Sequence, residues 1–232
     1  MPRVAIAIET SSRPSSVAIS VDGGAPELVS LDPERSHARD LVPLLAGLID
    51  KAAAGPSDIE RIVVGTGPGS YTGLRVGCST ALGLAVGLAD GLKSGDAPML
   101  LGIPSFEALA LAALEPGERA AVVRNAFGGN LYLAAYGRSA NGVIEFQAPT
   151  CVAAADAVQI LKAESIWLAD AGALKVIGDL VPRPREVRPV EPDAAALLTL
   201  GAQSTSPPEE RLGSDAILPL YLRPFDVKLR RR

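Results

Sequence analysis

Apolar positions along the chain follow two rhythms. Val4 to Ile8 is an unbroken apolar run, as expected of a strand covered on both faces. Ser16 to Val21 and Glu27 to Leu31 follow it across Arg13-Pro14 and Asp22-Gly23-Gly24, which predicts three strands joined by hairpins. From Ser36 the period lengthens. Leu41, Leu44, Leu45, Leu48, Ile49 and Ala52 recur at three and four and predict one helical face, with a kink expected at Pro43. Gly55-Pro56 closes that helix, and Arg61 to Gly65 reads as another buried strand. The turn Gly65-Thr66-Gly67-Pro68-Gly69 leads into a helix from about Ser70 to Asp90, and Pro98 to Gly102 reads as a further strand.

The order β, β, β, α, β, α, β then returns in looser form. Strands are expected near Ala120 to Asn125, Leu131 to Tyr136 and Val143 to Gln147, then a helix from Ala153 to Lys162 and a strand Ile166 to Ala169. The small-residue turn Asp170-Ala171-Gly172-Ala173 precedes a helical segment. A Pro- and Arg-rich stretch, Pro182 to Pro192, leads to a helix at Asp193 to Gln203, a polar loop at Ser204 to Glu210 and a last strand at Ile217 to Leu222. The repetition lies in element order, not in residue identity. It predicts two similar α/β lobes, residues 1–104 and 105–232.

Composition narrows the chemistry. With 232 residues, 48% hydrophobic and 21% charged, the chain has material for one large domain or two small lobes. Lys and Arg total 22 against 26 Asp and Glu, a net charge of −4 that disfavours a free-standing nucleic-acid binder. The basic run Lys228-Leu229-Arg230-Arg231-Arg232 is either a solvated tail or a local contact with RNA phosphates. One histidine, His37, and two distant cysteines, Cys78 and Cys151, supply neither a zinc site nor a disulfide framework, and point to a reducing cytoplasm. Met1 to Ile6 carries no secretory pattern. The longest apolar stretch, Val76 to Ala89, is broken by Ser79 and Thr80 and falls short of the ~20 residues that span a bilayer, so no membrane crossing is expected.

Four features could carry function. The glycine-rich turn opens a helix and would suit an anion, yet Ser70 stands where a dinucleotide fingerprint needs glycine and no Lys-Ser/Thr pair completes a P-loop. Its other reading is a tight turn that lets helix and sheet pack closely. In the helix that follows, Gly73, Gly77, Ala81, Ala85 and Ala89 fall at intervals of four with Cys78 beside them, a flat stripe fit for a subunit interface or for close internal packing. Glu9 closes the first strand before Thr10, Ser11 and Ser12 and could hold magnesium through water, but its counterpart in the second half is the neutral Asn125. His37 has Leu41 at i+4, where a helical metal site would place a second ligand.

Several stretches together resemble the bacterial TsaB (YeaZ) family: Ala5-Ile6-Ala7-Ile8-Glu9-Thr10-Ser11-Ser12, Ser36-His37-Ala38-Arg39-Asp40-Leu41-Val42-Pro43, and above all Val64 to Gly77. Gly102 to Ala110 and Pro219-Leu220-Tyr221-Leu222-Arg223 add to it. The similarity is dense over residues 4–110 and patchy beyond. It departs from the family at Glu9, where Asp is usual, and at Arg124-Asn125-Ala126-Phe127, where the family commonly reads Asp-Ala-Arg followed by an acid.

The resemblance implies the actin/Hsp70/sugar-kinase architecture of two duplicated α/β lobes, which agrees with the βββαβα order read in the first lobe. It implies a cytoplasmic, non-catalytic subunit that binds and activates TsaD, the paralogue that transfers threonylcarbamoyl to the adenosine beside the anticodon of tRNA. It implies no cofactor of its own, with ATP or ADP and metal on TsaD and on the ATPase TsaE, and tRNA met through the complex; a homodimer through the same helices when alone is a further alternative. The family packs the first two helices of each partner into a four-helix arrangement. The contact residues expected here are His37, Leu41, Leu45, Leu48, Ser70, Leu74, Gly77, Cys78 and Ala81. The competing reading is a nucleotide-dependent kinase or phosphotransferase of the same fold, which needs a second carboxylate opposite Glu9.

Overall fold

The computed structural model describes residues 1–32, 37–91, 97–203 and 217–223. The first half builds β1 (Val4–Glu9), β2 (Ser16–Val21), β3 (Glu27–Ser30), α1 (His37–Lys51), β4 (Ile59–Gly65), α2 (Tyr71–Gly91) and β5 (Met99–Ile103). Its sheet runs β3-β2-β1-β4-β5, antiparallel across β1, β2 and β3 and parallel across β1, β4 and β5. The second half builds α3 (Ser105–Ala113), β6 (Arg119–Asn125), β7 (Asn130–Ser139), β8 (Gly142–Ala153), α4 (Val158–Ala163), β9 (Ile166–Ala169), α5 (Ala171–Ile177), β10 (Glu186–Arg188) and α6 (Ala194–Gln203). Its sheet runs β8-β7-β6-β9-β10 with the same directions. Strand by strand the second sheet repeats the first, so the duplication expected from element order is real.

The unbroken apolar run of β1 has a direct cause. Successive side chains of a strand point to opposite faces. Ile6 and Ile8 enter a core with Leu41, Leu45, Ile62, Val64 and Leu100 beneath α1 and α2, while Ala7 on the other face meets Val63, Leu101, Ala194 and Leu197 beneath α6. Both faces are sealed by helices, so no position is left for a polar residue.

The last helix of the second half, α6, crosses to the first lobe. Phe106, Leu109 and Ala110 of α3 pack with Ala120, Val122, Ala134 and Tyr136 of the second sheet, whereas α6 lies on the first. There Ala194 N donates to Ser16 Oγ (3.0 Å) and Arg61 Nη1 donates to the Gly201 carbonyl (2.8 Å). A side chain at Gly201 would come within 2.8 Å of Val63 Cγ2, so glycine permits the close approach. The boundary at 104/105 therefore separates the chain but not the mass: α6, and Ile217 beyond it, belong to the first lobe's core.

Several elements differ from expectation. α3 and the short β10 have no counterpart in the sequence reading. β8 extends to Ala153 and α4 starts only at Val158, because β8 is an edge strand whose backbone pairing with β7 continues where its side chains show no alternation. Ile217 to Leu222 forms no strand. α1 continues through Pro43, whose ring faces solvent. Residues 204–210 and 228–232 lie outside the described residues. By length and composition α2 could cross a membrane. Of that span 33% is buried, along the face of Leu74, Cys78, Ala81 and Ala85 that packs in its own lobe.

Candidate functional site

The glycine-rich segment seats the turn that follows β1. A Cβ on Gly69 would lie 2.2 Å from the Ser11 carbonyl, one on Gly73 2.0 Å from the Thr10 carbonyl, and one on Gly77 2.2 Å from Thr10 Oγ1. Such separations are impossible, so the spacing of four clears a groove for Thr10 and Ser11 along α2. Three of the backbone N–H groups there are already used: Ser70 N donates to the Ser11 carbonyl (2.7 Å), Gly73 N to Ser70 Oγ (3.2 Å) and Leu74 N to the Ser70 carbonyl (2.8 Å). The segment is a packing device, the second of its two readings. The flat stripe is likewise internal.

Glu9 lies behind this seat, fully buried. Its Oε1 accepts from Ser11 N (2.7 Å), while Oε2, which faces Gly65, has no hydrogen-bond partner. Burial, the largest influence, raises its pKa, and the donors of Ser11 and Ser105 offset this only in part. A carboxyl driven toward its neutral form, without access to solvent, is a poor magnesium ligand. Across the cleft, Asn125 Oδ1 accepts from Phe127 N (2.8 Å) and Asn125 N donates to Asp170 (3.0 Å). The second carboxylate that a kinase would need opposite Glu9 is not at that position. Burial also lifts the Cys78 thiol, to about 11, which removes it as a nucleophile.

The cleft between the lobes encloses about 920 Å³. On its second-lobe wall Arg124, nearly buried, pairs with Asp170 (Nε to Oδ2, 3.1 Å) and Glu191 and donates to the Val190 carbonyl (2.6 Å). Asp170 also caps α5 by accepting from Ala173 N. The other wall is completed by the segment 217–223. Leu220 N donates to the Thr66 carbonyl (2.8 Å), the Tyr221 ring packs on Tyr71 with centroids 4.8 Å apart, and Arg223 Nη1 donates to the carbonyls of Ala126 (2.7 Å) and Phe127 (3.3 Å). This strap ties the two lobes together. Its residues were visible in the sequence as Pro219 to Arg223 but had no assigned role; Asp170 could have been found as a helix cap.

The expected contact residues divide sharply. Leu41, Leu45, Leu48, Leu74, Gly77, Cys78 and Ala81 are buried within their own lobe. Helical periodicity marked the apolar face correctly, but that face is the one turned to the sheet. Ser70 is exposed, and the side chain of His37 lies outside the described residues. The outward face consists of Val42, Pro43, Ala46, Gly47 and Asp50 on α1 and Ser79, Gly83, Val86, Gly87 and Asp90 on α2. Val42 is 45% exposed and Val86 46%. Added Cβ atoms at Gly47, Gly83 and Gly87 would meet nothing within 4 Å, so the surface is low and open.

Two lobes of one topology, with α6 returning onto the first sheet and a cleft at their junction, define an α/β protein of the actin/Hsp70/sugar-kinase class. The sequence model of TsaD, tRNA N6-adenosine threonylcarbamoyltransferase, matches residues 7–177. The chain belongs to that family. The tRNA threonylcarbamoyladenosine biosynthesis protein TsaB of Escherichia coli is 31% identical over 140 residues, 60% of this chain and 57% of the relative. That of Haemophilus influenzae is 31% identical over 110 residues, 47% and 43%. The matches thus span about half the length of these relatives. YeaZ from Pseudomonas aeruginosa has the same fold, with a TM-score of 0.79 at 24% identity over 95% of this chain and all of that one.

Proposed function

We propose that the chain is a non-catalytic subunit for threonylcarbamoyladenosine formation on tRNA, at the adenosine beside the anticodon. It acts by docking the outer faces of α1 and α2 on a TsaD-type paralogue and activating it. The observation that carries this is the pairing of an open, small-residue helical surface with a Glu9 sealed behind the cleft and a neutral Asn125 on the cleft wall. Val42 and Val86 supply the apolar anchors, and the exposed glycines let a facing helix approach closely. Transfer chemistry, nucleotide and metal reside on the partner and on a TsaE-type ATPase, all in the cytoplasm, and tRNA is met in the assembled complex. A second copy of the chain competes for the same face when the partner is absent. The test is reconstitution. The TsaD-type protein from the same cell should co-elute with this chain and modify tRNA only in its presence; modification by this chain alone would overturn the reading.

A further inference from the structure

We propose that the mouth of the interlobe cleft stacks the bases of an unpaired RNA segment, which the function proposed above would supply as the anticodon loop of tRNA; the inference rests on that reading. The chain has few aromatic residues, 4 Phe, 4 Tyr and 1 Trp. Three of them, Tyr71, Phe127 and Tyr221, line this one cleft while remaining 38%, 71% and 46% exposed. Phe127 sits at φ +60°, a conformation unfavourable for a bulky residue, and holds its ring in water. Nothing in the packing of the fold calls for an aromatic ring there. Tyr71 and Tyr221 form a tilted pair, and the Arg75 guanidinium lies 5.1 Å from the Tyr71 ring centroid.

The charges at the mouth differ in sign from the chain's net −4. The cleft carboxylates Asp170 and Glu191 are taken by Arg124. Arg223 is held by the carbonyls of Ala126 and Phe127, and neither it nor Arg13 and Arg75 pairs with a carboxylate among the described residues. The floor adds the hydroxyl of Ser12, which has no hydrogen-bond partner among the described residues. Exposed rings interleaved with arginines match the faces of unstacked bases and the phosphates between them. A duplex, whose base faces are hidden, does not fit.

The test is fluorescence anisotropy of the full chain with a labelled RNA hairpin carrying an unpaired loop, against a blunt duplex of the same length. The hairpin should bind and the duplex should not. Phe127→Ala and Tyr221→Ala should each weaken the hairpin about tenfold. Tyr221→Phe, which keeps the ring, should bind like the parent, as should Arg3→Ala, which removes an equal charge at the other end of β1. Arg75→Ala should lower the slope of log affinity against log salt by about 1. No hairpin binding, equal binding of duplex and hairpin, or unchanged affinity in both aromatic variants would overturn the inference. A chain that co-elutes with the TsaD-type protein but ignores the hairpin refutes the stacking surface and leaves the proposed function standing.

Discussion

The Thr10 hydroxyl donates to the Gly73 carbonyl at 2.8 Å, joining the end of β1 to the first turn of α2 where only glycine leaves room. This contact decides what the small-residue stripe of α2 is for. It is a seat for the protein's own backbone. Gly77→Ala should cost about 1–3 kcal/mol in urea unfolding, since its Cβ would lie 2.2 Å from Thr10 Oγ1. Thr10→Ala should recover part of that loss in the double variant, a coupling expected only of residues in contact. A fully stable Gly77→Ala protein would contradict the packing account, and Gly77→Leu should fail to fold.

Two carboxyls should leave opposite marks on stability against pH. Glu9 has a raised pKa, from burial, so its folded form holds a proton that the unfolded chain releases above the ordinary carboxylate range. Stability is lost as pH rises through that range, and Glu9→Gln should be more stable than the parent at neutral pH, with the gain fading toward pH ~4. Glu118 is the reverse. Arg188 hydrogen bonds hold its pKa at about 2, so its contribution is present above the ordinary range and disappears as pH falls toward 2. Glu118→Gln should therefore flatten the acid limb of the denaturation curve. A Glu9→Gln advantage that is the same at both pH values would show that Glu9 is not the buried acid described.

Arg124→Leu should be strongly destabilising, by about 3 kcal/mol in thermal or urea unfolding, because it strands Asp170 and Glu191 beside a nearly buried site. A loss below about 0.5 kcal/mol would place the ion pairs among those that contribute nothing.

The strap makes a separate prediction. Arg223→Ala removes the bonds to Ala126 and Phe127 without touching either core, so global unfolding should move little. Amide exchange should instead accelerate at Leu220, whose N–H donates to Thr66. Unchanged exchange there would mean that Arg223 does not fasten the strap.

What was legible in the sequence was what one element can state by itself. The run Val4 to Ile8 requires cover on both faces, and the leucine spacing from Leu41 to Leu48 requires an inner helical face. Both are borne out. The partner of a face is another matter. Small residues at Gly73, Gly77 and Ala81 read the same whether the neighbour is Thr10 or a second protein, and only the chain's return through the β1 turn decides between them. For the same reason α6, apolar nearly all round, announces burial without saying that it lies on the first lobe's sheet. Arg124 with Asp170 and Arg223 with the Phe127 turn join residues far apart in the chain, where no local pattern exists to read.

The central claim is that Val42 and Val86 face a partner and not their own core. Placing a charge at each, as Val42→Glu and Val86→Glu, should leave the melting temperature of the isolated chain within about 2 °C of the parent, as expected for exposed positions. Affinity for the TsaD-type protein, measured by sedimentation or calorimetry, should fall at least tenfold, about 1.4 kcal/mol or more, from burying an unpaired carboxylate. Parent-like affinity in both variants would contradict the docking face.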